Sequence, residues 1–449
     1  MPLVRPFRAI AYAPDRFAQA TIAERIRLPD EPNVAPAERR RVTDLTDLAC
    51  PPYDVIGPEQ QAQLVARHER NAVRLELPPG PEPYSSAAST LRAWLADGTL
   101  ARRPEASVYY YAHGSSVMPD EPTVQGVMAR VQLEPFGAEV RAHEHTMPGP
   151  KADRLAHLRA SRTQISPILA LYFDRSERYR HVMSRAWTDE WRARDADGLL
   201  HTVGEVEPDD RLLGYLSRQR LYIADGHHRY ETALAYQAEA RASPPAGGAA
   251  MGALAVDWIM VVLVNAEMEE LEIWPTHRLI SGDVAGLEAL VRAPGDGWQV
   301  EPVPPQALGA RLDAVRGDER PTFGLLLPGD RAFLLIGDPD ATGDRMARER
   351  VSTAVGRLDL AVLHASLLDD LLGISAADVA AGDRLAYTRR EDEARSAVAR
   401  GEAQAAILVR PTRLEELAEV AGAGDVMPQK STYFYPKLLT GMVFNPLED

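Results

Sequence analysis

Ala224-Asp225-Gly226-His227-His228-Arg229-Tyr230-Glu231 is the stretch that decides the reading of this chain. The apolar run Leu221–Ala224 before it predicts a short buried strand, and Thr232–Arg241 after it predicts a helix. Gly226 permits a sharp turn between the two. A strand, a tight turn and a helix start together leave backbone N–H groups aimed at one point, where the helix dipole also favours negative charge. Arg229 adds a forked cationic donor. Asp225 in the plain role of helix N-cap explains one residue of the string. It does not explain two adjacent histidines and an arginine. The string therefore predicts an anion site, with phosphate as the natural ligand.

A second signal lies in lysine usage. Of 50 basic residues only Lys151, Lys430 and Lys437 are lysine. An ammonium is a compact point charge that a planar guanidinium does not copy at a tight site. Lys151 lies in HEHTMPGPKADRL (His143–Leu155), where two prolines and Gly149 predict a rigid loop that runs into a helix. Lys151, Asp153 and Arg154 are expected in that helix's first turn. Cations there oppose the helix dipole unless an anion binds. Lys430 and Lys437 lie in MPQKSTYFYPK (Met427–Lys437). Lys430-Ser431-Thr432 has the ending of a Walker A loop, but Gln429 stands where that loop needs glycine, so no P-loop is read. Lys430, Ser431 and Thr432 are kept as phosphate-binding candidates, with Gly226, His227, Arg229, Lys151 and Arg154.

Phosphoryl transfer needs a carboxylate or histidine near the attacking oxygen. Glu144, in the His143/His145 loop, is the expected general base, with Glu231 as the second choice and Asp225 and His228 as further catalytic candidates. A solvated loop carboxylate is the plain alternative for Glu144. His143, His145, His277, Arg278, Tyr53 and Asp54 are candidates for the substrate pocket. His227 and Glu231 share a helix face at i, i+4, and with His143 and His145 they make up an alternative metal site. Mg²⁺ held by Asp225, Glu231 and substrate phosphates is the preferred metal reading.

The bulk numbers bound the class. The chain has 449 residues, 45% hydrophobic and 26% charged, which predicts a globular protein of two or three domains. A formal net charge of −15 makes nucleic acid an unlikely partner. The one cysteine, Cys50, excludes an internal disulfide and a cysteine zinc cluster. No apolar run reaches membrane-spanning length and no leader is read, so a cytoplasmic protein is expected. An oligomer is compatible with all of this.

Strands are expected at Val108–Ala112, Gly126–Leu133, Ile165–Phe173, Ala255–Val264 and Ala406–Val409. A hairpin over Phe323–Ile336 is expected to turn at Pro328-Gly329-Asp330. Helices are expected near Leu358–Leu372, Asp392–Glu402 and Arg413–Ala421. The fold class is therefore α/β (α+β mixed), with mixed sheets and flanking helices. The expected organisation is an N-terminal α/β region at 1–140, a motif-bearing core at 141–285 and an accessory β region at 286–345. A C-terminal α/β region at 346–449 would return KSTYFYPK to the site.

PPYDVI (Pro51–Ile56), HEHTMPGPKADRL, SPILALY (Ser166–Tyr172), DGHHRYETAL (Asp225–Leu234), PTHR (Pro275–Arg278) and MPQKSTYFYPK together resemble domain-of-unknown-function family 1015 over almost the whole chain. The Asp-Gly-His-His-Arg turn is also similar to that of the free-serine kinases, of the ParB/sulfiredoxin-like superfamily. That similarity implies a nucleotide-binding core in which Asp225–Arg229 hold ATP or ADP phosphates and a glutamate deprotonates a hydroxyl. The expected function is a small-molecule kinase acting on serine or a serine-like metabolite with Mg²⁺. The alternatives are a ParB-like nucleotide-binding switch and a metal-dependent hydrolase.

Overall fold

The computed structural model describes residues 2–22, 40–137, 139–144, 146–176, 189–242, 254–295, 297–382 and 384–448. His145 lies outside them. The chain divides into two compact units. The first comprises Met1–Arg141, Thr146–Glu272 and Tyr435–Asp449, and the second comprises Ala142–His145 and Ile273–Phe434.

The first unit is built on an 11-stranded mixed sheet. Its strands are β1 (Val4–Arg5), β2 (Ala18–Ile22), β3 (Arg40–Asp44), β4 (Val108–His113), β5 (Val124–Gln132), β6 (Val140–Arg141), β7 (Ile168–Tyr172), β8 (Asp189–Arg194), β9 (Leu200–Val206), β10 (Leu221–Asp225) and β11 (Trp258–Asn265). The order is β2-β3-β8-β9-β4-β5-β11-β7-β10-β6, with β1 on β5. The pairs β3–β8, β7–β11 and β6–β10 are parallel, and the others are antiparallel. β7 (ILALY) and β11 (WIMVVLVN) are buried at every position, as central strands covered on both faces must be. The expected strand from Ala255 begins at Trp258, because Ala255–Asp257 form a 3₁₀ turn closed by Leu254 N donating to Asp257 Oδ2.

Two helices of this unit matter most, α1 (Pro148–Ser161) and α2 (His227–Ala242), which pack against each other. α1 starts three residues before the expected point. Proline has no N–H to lose in a first turn, so Pro148 and Pro150 belong to the helix. Lys151 is thus its fourth residue, while Asp153 and Arg154 fall in the second turn.

The second unit carries a six-stranded antiparallel sheet of β12 (His277–Ile280), β13 (Trp298–Val303), β14 (Thr322–Leu327), β15 (Arg331–Gly337), β16 (Leu385–Thr388) and β17 (Ala405–Leu408). The order is β13-β15-β14-β17-β12-β16. β14 and β15 form the expected hairpin, with Gly329 and Asp330 both at positive φ. Helices α3 (Leu308–Ala314) and α4 (Glu391–Ala399) pack Leu308, Leu312, Ala394, Ala397 and Val398 into a core with Leu326, Leu334 and Leu408. The helix expected near Leu358–Leu372 runs Asp359–Val362 and then widens into a π-helix over Leu363–Leu371.

Candidate functional site

In the first unit, β10 ends at Asp225, Gly226 turns at φ +97°, and α2 begins at His227. A Cβ on Gly226 would lie 2.5 Å from Ile168 Cγ2, so both the backbone and the neighbour demand glycine. The first N–H groups of α2 have no partner within the helix and point along its axis toward the turn.

Asp225 does not cap the helix in the simple way. One carboxylate oxygen is paired with Lys437 Nζ, and the other accepts from Arg229 Nη2 at 2.6 Å. Burial works to raise the Asp225 pKa, but the Lys437 ammonium and the Arg229 guanidinium outweigh it and hold the carboxyl well below its ordinary value. Arg229 Nη1 also donates to Pro167 O at 2.5 Å, so the guanidinium ties β10 to the start of β7.

The Lys151 loop meets the same helix start. Lys151 Nζ lies 2.6 Å from Glu231 Oε2, which also accepts from Thr146 Oγ1 at 2.7 Å. Half-burial opposes ionisation of Glu231, yet the bonds to Lys151 and Thr146 hold its pKa below the usual value. Met147 N donates to His228 Nε2 at 2.9 Å. In that bond Nε2 is the acceptor. His227 is buried.

The PPYD string lies in this unit as well. The Tyr53 ring sits 4.1 Å beneath the Arg154 guanidinium, and Tyr53 N donates to Glu76 Oε1 at 3.0 Å. Asp153 accepts from Tyr84 and is paired with Arg154. Asp54 is exposed, electrostatically faces Arg229, and has no hydrogen bond or ion pair with a described residue. Behind the turn lies a cavity of about 50 Å³ lined by Glu76, Arg154, His157, Ser166 and Arg229 among others. It has room for water but not for a nucleotide.

The remaining candidates belong to the second unit. Glu144 Oε1 accepts Lys430 N at 2.7 Å, and His143 Nε2 bonds Thr432 Oγ1 at 2.8 Å. Ser431 Oγ donates to Pro428 O at 2.5 Å. Arg278 is fully buried and its guanidinium reaches the carbonyls of Thr276, Gln429 and Lys430. Burial lowers its pKa to about 10. His277 Nδ1 accepts Val409 N at 3.2 Å, and burial pushes its pKa down to about 4.

Asp225 and Glu231, the expected Mg²⁺ ligands, both have cationic partners. Asp225 is held by Lys437 and Arg229, and Glu231 by Lys151 and Thr146. Carboxylates committed to cations in this way do not fit a Mg²⁺ site. Among the described residues no three of His, Cys, Asp and Glu are grouped as metal ligands. No described helix is long and apolar enough to cross a membrane.

Lys437 and Glu76 are among the residues of this constellation that the sequence-derived site candidates leave out. Lys437 had a signal in the rarity of lysine. Glu76, in Arg74-Leu75-Glu76-Leu77-Pro78, had none.

Several solved structures are similar to the chain at low identity. A point mutant of free serine kinase in complex with AMP matches at 15% identity, covering 66% of this chain and 83% of its own, with TM-score 0.35. A conserved hypothetical protein from Pyrococcus furiosus matches at 15% identity over 67% and 89%, with TM-score 0.33. SbnI with C-terminal truncation from Staphylococcus aureus matches at 14% identity over 71% and 87%, with TM-score 0.36. No curated protein matches the chain. The family model described as a protein of unknown function, DUF1015, matches residues 32–361, and the chain belongs to that family.

Proposed function

We propose that the protein is a small-molecule kinase that transfers phosphate from ATP or ADP to a hydroxyl of serine or a serine-like metabolite. One observation carries the reading. Two of only three lysines in the chain, Lys151 and Lys437, pair with Glu231 and Asp225 on one strand–turn–helix. A chain that uses arginine almost everywhere else keeps lysine where point charges and a helix N-terminus lie together. Phosphate groups suit such a place, since phosphoryl transfer rests on positioning and charge neutralisation more than on covalent chemistry.

In this reading the acceptor oxygen attacks the terminal phosphorus, and the bond from that phosphorus to the bridging oxygen breaks. The shortened nucleotide leaves with the electron pair. The hydroxyl proton passes to a carboxylate. We assign that role to Asp54, which has no ion pair to give up and faces Arg229. Asp225, Glu231 and Asp153 are each held by a cation. Mg²⁺ would be ligated by phosphate oxygens of the nucleotide rather than by Asp225 and Glu231. In the second unit, Lys430 is assigned by itself as a phosphate-binding cation.

The test is incubation of the purified protein with ATP, ADP or CTP and pooled amino-acid metabolites, with products followed by mass spectrometry. A phosphorylated hydroxy metabolite supports the reading. Nucleotide-dependent dimerisation without any product supports a nucleotide-binding switch instead.

A further inference from the structure

Lys430 is the only one of the three lysines with no ion pair to a described residue, and its backbone is in the left-handed region at φ 59°. That conformation is disfavoured for a residue with a side chain. It persists because its neighbours over-determine it. Pro428 O accepts from Ser431 Oγ, and Gln429 O and Lys430 O both accept from Arg278 Nη2. Lys430 N donates to Glu144 Oε1, Ser431 O accepts from Thr412 Oγ1 at 2.7 Å, and Thr432 Oγ1 meets His143. Met427 N donates to His143 O at 2.7 Å, where residues 144 and 427 form a parallel bridge. Every residue from 427 to 432 is thus tied down, while the Lys430 residue itself remains exposed. Arg278 is fully buried, so it acts on the turn and not on a ligand.

We propose that Glu144 and Arg278 are positioning residues that preset a strained turn, so that the Lys430 ammonium is presented to a phosphate group in one fixed place. Glu144 does this through its acceptor oxygen and is not the base of the reaction. The inference deepens the proposed function, because it rests on Lys430 as a phosphate-binding cation. Presetting the turn before the ligand arrives removes the ordering cost that a mobile lysine would meet on binding.

The two roles of Glu144 separate by substitution. A glutamine amide oxygen accepts the Lys430 N–H as a carboxylate does, but it does not take a proton at neutral pH. Glu144→Gln and Glu144→Ala are compared in the full chain by hydrogen exchange of the 427–432 segment, by ADP titration, and by transfer from ATP to L-serine. Glu144→Gln is expected to keep slow exchange and to leave ADP affinity within about threefold of the parent. Glu144→Ala is expected to speed exchange at Lys430 and to weaken ADP binding about tenfold, the scale of one lost charge-assisted hydrogen bond. Unchanged exchange in Glu144→Ala overturns the positioning role. Slow exchange in Glu144→Gln with transfer reduced a hundredfold also overturns it, because Glu144 is then the base. A parent protein that binds neither ATP nor ADP removes the kinase reading, and the exchange measurement still decides the mechanical role of Glu144.

Discussion

Lys437 and Asp225 stand 212 positions apart in sequence and form an ion pair in the first unit, with Arg229 gripping the other carboxylate oxygen at 2.6 Å. The side chains of Lys437 and Asp225 are only 11% and 14% exposed, so water does little to screen the pair. The segment after Phe434 is thereby fastened to the end of β10. Removing one partner leaves a buried charge short of compensation, which costs more than the pair contributes.

Lys437→Met is therefore expected to lower the stability of the first unit by about 2 kcal/mol or more. Lys437→Arg should recover little of it, since a planar fork needs more room than an ammonium in this position. Urea unfolding of both variants checks this, and equal midpoints for Lys437→Arg and the parent would sink the steric part.

Gly226→Ala tests the turn itself. The new Cβ would meet Ile168 Cγ2 at 2.5 Å on a backbone at φ +97°. Left-handed strain and overpacking each cost about 1–3 kcal/mol. The variant should unfold at markedly lower urea and lose nucleotide binding, whereas Ile168→Ala in the same background should restore part of the stability.

The pattern of elements was legible because it is local. β14 and β15 are mostly apolar stretches flanking Pro-Gly-Asp, and β7 and β11 are unbroken apolar runs. The pairing of β7 with β11 was not legible. β7 lies parallel to β11 across more than eighty intervening residues, and no short-range signal encodes such a register. The site divides in the same way. The Asp225–Arg229 turn announced itself through Gly226 and its chemistry. The partners of Asp225 and Glu231 depend on tertiary structure, so neither lysine pairing is encoded locally. The bond from the Lys430 amide to Glu144 was likewise not legible, because it joins residues 286 positions apart.

The second unit should be acid-sensitive through its histidines. Burial holds His277 at about 4 and His364 at about 3, with the nearby Arg278 charge adding to both. Their unfolded value is about 6.5. The unfolded chain therefore binds more protons once the pH falls below that value. The stability contribution is complete above about pH 6.5 and is lost as the pH drops toward 4, at up to about 2.7 kcal/mol per pH unit for two protons. Limited proteolysis in urea at pH 7, 6 and 5, mapped to residues 273–434, measures it. His364→Leu should roughly halve the slope, and a slope equal to the parent's would show that His364 is not a contributor.

Lys430→Gly separates strain from function. Glycine enters the left-handed region freely, so this variant should be as stable as the parent or more stable by about 1 kcal/mol. ADP binding should nevertheless weaken about tenfold, because the presented ammonium is gone. Lys430→Arg keeps the charge and should still bind worse than the parent. A glycine variant that binds ADP normally would mean that the turn is strained for a reason unrelated to the ligand.

Asp54 is exposed, carries no hydrogen bond or ion pair with a described residue, and lies in the field of Arg229. Asp225 and Glu231 would each have to release a lysine before taking a proton. Asp54→Asn keeps the shape and removes the basicity. ADP affinity should stay within about threefold, and the rate of transfer should fall by about a hundredfold or more, the scale of a lost general base. Raising the pH should not rescue the variant, because no group at position 54 remains to be deprotonated. Normal turnover in Asp54→Asn would return the role to another carboxylate. If Glu144→Gln then showed the hundredfold loss with the 427–432 turn intact, Glu144 would be the base and its hold on the Lys430 amide would be incidental.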